Sequence, residues 1–485
     1  MAKTLNRLVW LVFLGIGLSV FFYVPFFVFY QLFGVASHRA FRFGAVVGVI
    51  LSATVLWAAS ALPAWFSQAG ETRKLNYRAW FIGIIVLGVL MRIGWVLVFP
   101  PVQLSDASSY LRAAKDLLEK GIYFFPGEGF MLRSYRPPGY PFFLAAFIMF
   151  VGQHWWTPAF TNICFYILLS VAVGHLSKQL AGEKAALLAN LLIAFWPSGI
   201  AITGLAFTEP LSMLLLMAGL CSFAMSGHNG WHASVLAGVL TGLAALVRPT
   251  FLGLPLAWVT CRAMDKEQRW FKLQHTALAV LVMALLILPW TVRNYMVLGA
   301  FIPISTNGGE MFYDANNPLA TGGYIERGER YLQAYAYDEV LFNKLGYAWG
   351  IEWIKENPLG FLRLAVRKQA ILLGTDETGV YWALKRGYNE GGLLYEVFWL
   401  ISNTWWLGVW FLAVLGAIRE RDFFGGTSIG GFLLSLILIF VAIHSVYQSQ
   451  ARFHMPFVGV LAVVSALAVN RPKKSIFYSP SAAQS

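Results

Sequence analysis

AWFIGIIVLGVLMRIGWVLVFPP, residues 79–101, passes through VQL into SDASSYLRAAKDLLEKGIYFFPGEGFMLRSYRPPGYP, residues 105–141. The first stretch is long and apolar enough to cross a bilayer as a helix, which takes about 20 residues. The second is a polar, charged island that Asp106 opens at the point where the chain leaves the membrane. A carboxylate at that depth is costly and invites a chemical explanation.

The same alternation recurs through the chain. Its 485 residues are 58% hydrophobic and 12% charged, with a mean hydropathy of +0.63, too apolar for a soluble fold of this length. Repeated apolar runs of roughly 16 to 26 residues exclude a membrane β-barrel, whose strands are shorter and alternate in polarity. The predicted class is therefore an all-α polytopic membrane protein, with about twelve spans near 8–33, 41–67, 79–101, 156–177, 185–203, 208–226, 231–247, 249–264, 273–292, 396–418, 427–449 and 453–470. The first run is longer than a signal-peptide core and is read as a retained anchor.

With the N-terminus inside, five basic connections fall on the cytoplasmic side: Arg73, Lys74 and Arg78; Lys178 and Lys184; Arg262, Lys266, Arg269 and Lys272; Arg419 and Arg421; and Arg471, Lys473 and Lys474. Arg39 and Arg42 are the exception to this positive-inside pattern. The opposite, outer face then carries two long polar regions. The expected organisation is an N-terminal hairpin (1–70), a transmembrane core (71–292) including the first external loop (102–155), an external cap (293–395), C-terminal transmembrane helices (396–470) and a cytoplasmic tail (471–485).

Residues 140–152 are too short to span and are assigned to the interface or a re-entrant hairpin. Ala107–Lys120 reads as an amphipathic helix with Tyr110, Ala113, Ala114, Leu117 and Leu118 on one face, stopped by Gly121. Residues 347–368 read as helices broken at Asn357-Pro358. The formal net charge of +13 lacks the basic, aromatic-interleaved domain that a nucleic-acid partner would require. Cys164, Cys221 and Cys261 lie in separate apolar stretches without metal-ligand or redox spacing.

The ionisable groups at the outer ends of apolar runs carry the chemistry. Asp106 is either a helix N-cap or a reactive carboxylate, and Glu209 in FTEPL approaches the same surface as a first-turn charge or as a second catalytic acid that orients an acceptor or binds a cation. Arg248 in LVRPTF, Arg293 in PWTVRNY and Arg452 in QARFHMP share that level. Each could simply snorkel to lipid headgroups, but together they suit a phosphate, which a guanidinium grips with two parallel bonds. Tyr110, Tyr135 and Arg136 furnish a pocket wall. Asn307, Tyr313, Asn316 and Asn317, in a glycine-containing stretch suited either to a hydroxyl-rich ligand or to plain turns, join His454 as substrate-binding candidates. His228 and His232 have helical spacing but no carboxylate to complete a metal set. No cofactor is required on this reading, and a divalent cation finds no ligand set to support it.

The succession of a span, Asp106 with Tyr110, RPPGYP, TEPL, LVRP, PWTVRN, TNGG with NNPLATGG, and ARFHMP resembles bacterial membrane glycosyltransferases of the GT-C fold. The branch it resembles is the one related to protein O-mannosyltransferases and lipid A aminoarabinose transferases. The resemblance spans about residues 79–470. It implies a polyprenyl-phosphate-linked sugar donor, a glycan, lipid or protein acceptor, a site on the periplasmic face of a bacterial inner membrane, a catalytic Asp matched by Asp106, and basic residues on the lipid phosphate, to which Arg248, Arg293 and Arg452 correspond. Relatives frequently carry an acidic pair at the catalytic position, whereas Ala107 follows Asp106 here. The implied step is inverting, with Asp106 as general base. A lipid-linked glycan flippase, a polymerase or ligase using diphosphate-linked chains, and a non-catalytic scaffold are the competing classes.

Overall fold

A computed structural model describes residues 2–34, 37–68, 76–126, 131–225, 230–264, 269–324, 331–388, 392–426 and 428–470. The expected tail, 471–485, lies outside the described residues, as do Arg73, Lys74, Lys266 and His228.

The apolar runs fold as helices because a chain in hydrocarbon must satisfy its backbone within each segment. Among the described residues, seven are long and apolar enough to cross a membrane: Thr4–Phe33, Arg39–Ser60, Tyr77–Val98, Thr157–Ala181, Leu273–Leu298, Leu393–Arg419 and Ile429–Val446. An eighth region is a broken pair, Glu183–Ala194 and Pro197–Gly204, bent by 56°. The remaining expected spans correspond to shorter apolar helices, Glu209–Ala224, Trp231–Val247, Pro249–Val259 and Ala451–Ala466. Gly139–Val151, assigned from its length to the interface, is likewise a short helix.

Pro197, which has no N–H to continue a ladder, sits at the break in the bent pair. The last carbonyls before it would be orphaned in the interior, and Arg92 supplies the donors. It reaches out of the Tyr77–Val98 helix to Ile193 O at 3.2 Å and Ala194 O at 3.3 Å, with its guanidinium 3.6 Å above the Tyr166 ring. The one basic charge in mid-span thus works as a helix cap.

The first helix packs on its hairpin partner and on Leu393–Arg419. Trp10 Nε1 donates to Ala417 O at 2.8 Å, and Phe13 stacks on Trp410. The amphipathic helix forms over Asp106–Lys120 and ends at Gly121 in the left-handed region, as its sequence requires. Its buried face is rotated from the expected one. Asp116 is inside, bonded by Lys120 at 2.6 Å, and Leu118 is exposed. The cap region forms Glu339–Glu356 and Pro358–Leu373, separated at Asn357 by the steric demand of the following proline. Among the described residues, the one strand pairing is a two-residue antiparallel match of Phe125–Pro126 with Met131–Leu132.

Candidate active site

Five helix ends deliver these ionisable groups to one end of the bundle. Asp106 begins the amphipathic helix, Arg136 precedes Gly139–Val151, Glu209 begins Glu209–Met225, Arg248 follows Trp231–Val247, and Arg452 follows Ser428–Val446. Two local features set their spacing. Gly139 lies against the backbone of Leu246, where an added Cβ would come within 2.7 Å, so only glycine lets the RPPG segment approach the strand-like turn at Arg248. Gln103 bridges Gly204 O at 2.7 Å and Ala206 N at 3.0 Å, pinning the approach to Asp106 against the approach to Glu209.

Asp106 is the first helical residue and not the cap. Ser105 occupies that place without a side-chain capping bond, and at φ 52° it is the only non-glycine with positive φ among the described residues. That strained turn, of order 1–3 kcal/mol, points the carboxylate away from the helix end and into the bundle. There Asp106 takes two arginines. Arg136 Nη2 lies 2.7 Å from Oδ1 and Arg452 Nη1 lies 2.7 Å from Oδ2. Burial alone would raise the Asp106 pKa, but the two guanidiniums outweigh it and hold the carboxyl well below the usual carboxylate range.

Glu209, nearly buried, receives Arg248 Nη1 on Oε1 at 2.8 Å, and the Thr208 hydroxyl lies 3.3 Å from Oε2. Arg452 Nε stands 4.0 Å from the same Oε1, beyond hydrogen-bond reach. The result is an alternating chain of charges: Arg136, Asp106, Arg452, Glu209, Arg248. Tyr110, under Arg136 and edge-on to Tyr140, forms one wall. Phe453 lies beneath both Arg452 and Arg248.

Other candidates from the sequence lie elsewhere. Arg293 does not join the cluster: its Nη1 donates to Arg133 O at 2.8 Å and to the Ser134 hydroxyl at 2.7 Å, its Nη2 donates to Tyr123 O, and its guanidinium lies over Trp290. The face of the long Arg269–Leu298 helix that carries Arg293 turns toward the loop before Arg136, so this arginine orders that loop. His454 is fully buried, its ring nitrogens facing Leu372 O at 2.7 Å and Asp376 Oδ1 at 3.1 Å and its face stacked on Trp406. Asn316 is also enclosed, bonding Phe312 O and Val446 O and accepting from Lys368. Asn317 donates Nδ2 to Tyr313 O and accepts from Leu319 N on Oδ1, and Tyr313 packs on Trp349. Asn307 accepts from the Ser305 hydroxyl. Tyr135 hydrogen-bonds Glu310. In the NNPLATGG stretch the asparagines thus build turns, and their Nδ2 groups are spent on backbone carbonyls.

Three contributors escape sequence reasoning: Gln103, Thr208 and Glu339. Glu339 accepts from Arg133 N, Ser134 N and the Thr306 hydroxyl, fixing the loop that carries Arg136 from more than two hundred residues away. Proximity to Glu209 in FTEPL could have flagged Thr208; the others carry no local signal. Among the described residues no group of three or more His, Cys, Asp or Glu could hold a metal ion.

This architecture is the GT-C fold of polytopic membrane glycosyltransferases. Residues 135–292 match the family model of dolichyl-phosphate-mannose-protein mannosyltransferases, one of the branches to which the motifs pointed. The oligosaccharyltransferase AglB from Archaeoglobus fulgidus, solved with an inhibitory peptide and a dolichol-phosphate, is similar over 81% of this chain and 50% of its own, at 16% identity and a TM-score of 0.50. The A. fulgidus oligosaccharyltransferase tethered to an acceptor peptide gives 17% identity, coverage of 81% and 49%, and a TM-score of 0.52. The chain spans about half the length of these proteins. ArnT from Cupriavidus metallidurans bound to undecaprenyl phosphate covers 81% of this chain and 78% of its own at 13% identity and a TM-score of 0.39, a likeness too loose to bear on the site. A search of curated proteins finds no significant match.

Proposed function

We propose that this protein is a glycosyltransferase that moves a sugar from a polyprenyl-phosphate lipid to a glycan, lipid or protein acceptor at the outer face of a bacterial cytoplasmic membrane. The observation that carries the reading is the alternating charge chain, in which Asp106 and three arginines share one end of the bundle. The donor's phosphodiester would lie between Arg452 and Arg248, its chain in a groove between helices. The acceptor oxygen attacks the anomeric carbon as the carbon–phosphate oxygen bond breaks, and Asp106 takes the hydroxyl proton. The lipid phosphate departs with the bonding pair, giving inversion. Its charge rises in the transition state, and fixed guanidiniums in a poorly solvated pocket stabilise that rise without reorganising.

Glu209 is assigned a positioning role, since its oxygens engage Arg248 and Thr208. The transporter alternative is not favoured, because the mid-span charge it would need, Arg92, is spent on capping the broken helix. The test is to incubate purified protein in detergent, where transport has no meaning, with undecaprenyl-phosphate sugars and envelope acceptors. Release of lipid phosphate with a glycosylated product is expected. Release of lipid diphosphate would identify the polymerase or ligase class instead, and no release from any donor would overturn the assignment.

A further inference from the structure

The Asp106 carboxylate that should accept a proton is occupied on both oxygens, and the two arginines that occupy it are held very differently. Arg136 is fixed. Its guanidinium lies among the rings of Tyr110, Tyr135 and Phe125, at 5.3, 5.6 and 5.8 Å, and its own carbonyl accepts from the Tyr123 hydroxyl at 2.8 Å. Arg452 has aromatic neighbours in Phe207 and Phe453, but its Nε–H is buried without a hydrogen-bond partner among the described residues. Glu209, the nearest acceptor, stands 4.0 Å away. A buried donor left unmade is unfavourable and calls for an incoming oxygen.

We infer that Arg452 is the residue that couples donor to base: a lipid phosphodiester takes the guanidinium of Arg452 from Asp106, and only then is the carboxylate open to the acceptor hydroxyl. The inference rests on the function proposed above and adds an order to it, donor before acceptor. The charge logic closes locally. In the resting protein the groups facing Asp106 are Arg136, Arg452, Tyr110 and, beyond Arg452, Glu209 paired to Arg248. A phosphodiester brings one negative charge that, of the two arginines on Asp106, competes for Arg452, satisfies its open Nε–H, and leaves Arg136 to orient the base. Removing one of two flanking cations raises the proton affinity of Asp106 toward that of an ordinary carboxylate, which is the direction a general base requires. An acceptor arriving first meets a carboxylate whose proton affinity both guanidiniums hold down.

The experiment measures binding of farnesyl methyl phosphate, a diester that keeps one negative charge across the working pH range, to the full-length protein by titration calorimetry. It needs neither the natural sugar nor the acceptor. Asp106→Asn is expected to bind the probe about tenfold more tightly than wild type, because the competing ion pair is gone. That gain should persist with Arg136→Gln and vanish with Arg452→Gln, a coupling in the range that double-mutant cycles resolve. The infrared carboxylate band of wild type should also shift on adding the probe, a readout that requires no variant. The proposal is overturned by absence of probe binding, by equal affinity of wild type and Asp106→Asn, by a gain that survives Arg452→Gln, or by an unmoved band. Failure of sugar transfer with this cycle intact would instead remove the assigned reaction and leave the coupling standing.

Discussion

Two knots of polar side chains lie in the same molecule and differ in how far they are closed: the charge chain around Asp106, and the pair of Asp376 with His454. The second is closed. Asp376 Oδ2 accepts from Trp196 Nε1 at 2.7 Å and from the Ser402 hydroxyl at 3.2 Å, Oδ1 faces His454, and the far nitrogen of that ring faces Leu372 O. Both side chains are fully buried. The Asp106 chain is incomplete, with an unmatched Arg452 Nε–H and carboxylate and guanidinium groups that keep 14–18% exposure. What separates a site from a structural knot here is unfilled hydrogen-bonding capacity, not the presence of buried charge.

The largest expected effect falls on the open knot. Asp106→Asn should lower transfer by about 10²- to 10⁴-fold, the usual worth of a positioned general base, with a smaller drop in melting temperature than Asp376→Ala gives, because the amide oxygen still accepts from one arginine. Initial rates with an undecaprenyl-phosphate sugar, alongside thermal melting, check both halves. Turnover at the wild-type rate would remove Asp106 from the mechanism.

The closed knot should answer in the opposite way. Asp376→Ala strands Trp196 Nε1, Ser402 and His454 together, and losing one partner of a buried pair costs about 3–5 kcal/mol. A large drop in melting temperature is expected, with turnover per folded molecule nearly retained at low temperature. If instead Asp376→Ala abolished turnover at unchanged stability, the distinction between the two knots would fail.

The contrast also explains what the sequence could and could not show. Asp106, Glu209, Arg248 and Arg452 were legible because each ends an apolar run, and in a bundle of spanning helices alternate run ends must share a level. Arg136 and Tyr110 followed from their place in the polar island after the Tyr77–Val98 helix. Arg293 ends a run too, yet rotation about its helix axis decides which neighbour it meets, and no periodicity in its polar flank fixed that angle. The partnership of His454 with Asp376 spans 78 residues of sequence, and Glu339 lies 206 residues from Arg133. Such pairings follow from tertiary packing and leave no local pattern to read. The four short helices were foreseen in place, and Trp231–Val247 has the expected bounds.

The smallest effect tests a third polar knot, in the cap, by pH. Lys368 is fully buried; its Nζ bonds Asn316 Oδ1 at 3.0 Å and the carbonyls of Ser445 and Val446 at 3.2 Å, with no carboxylate among these partners. Burial pushes its pKa down to about 8. The unfolded chain therefore binds more protons than the folded one between about pH 8 and the ordinary lysine value near 10.5, so stability rises with pH across that window. Below about pH 8 the full penalty of a buried ammonium is present, and above the window it is gone. The span corresponds to at most about 3 kcal/mol, at roughly 1.4 kcal/mol per unit. Melting temperatures recorded from pH 7 to 10 should climb in wild type relative to Lys368→Met, which carries no proton there and keeps the apolar stem. Parallel curves for the two proteins would mean that the lysine is already neutral or already solvated, and that the cap holds a closed knot of the Asp376 kind.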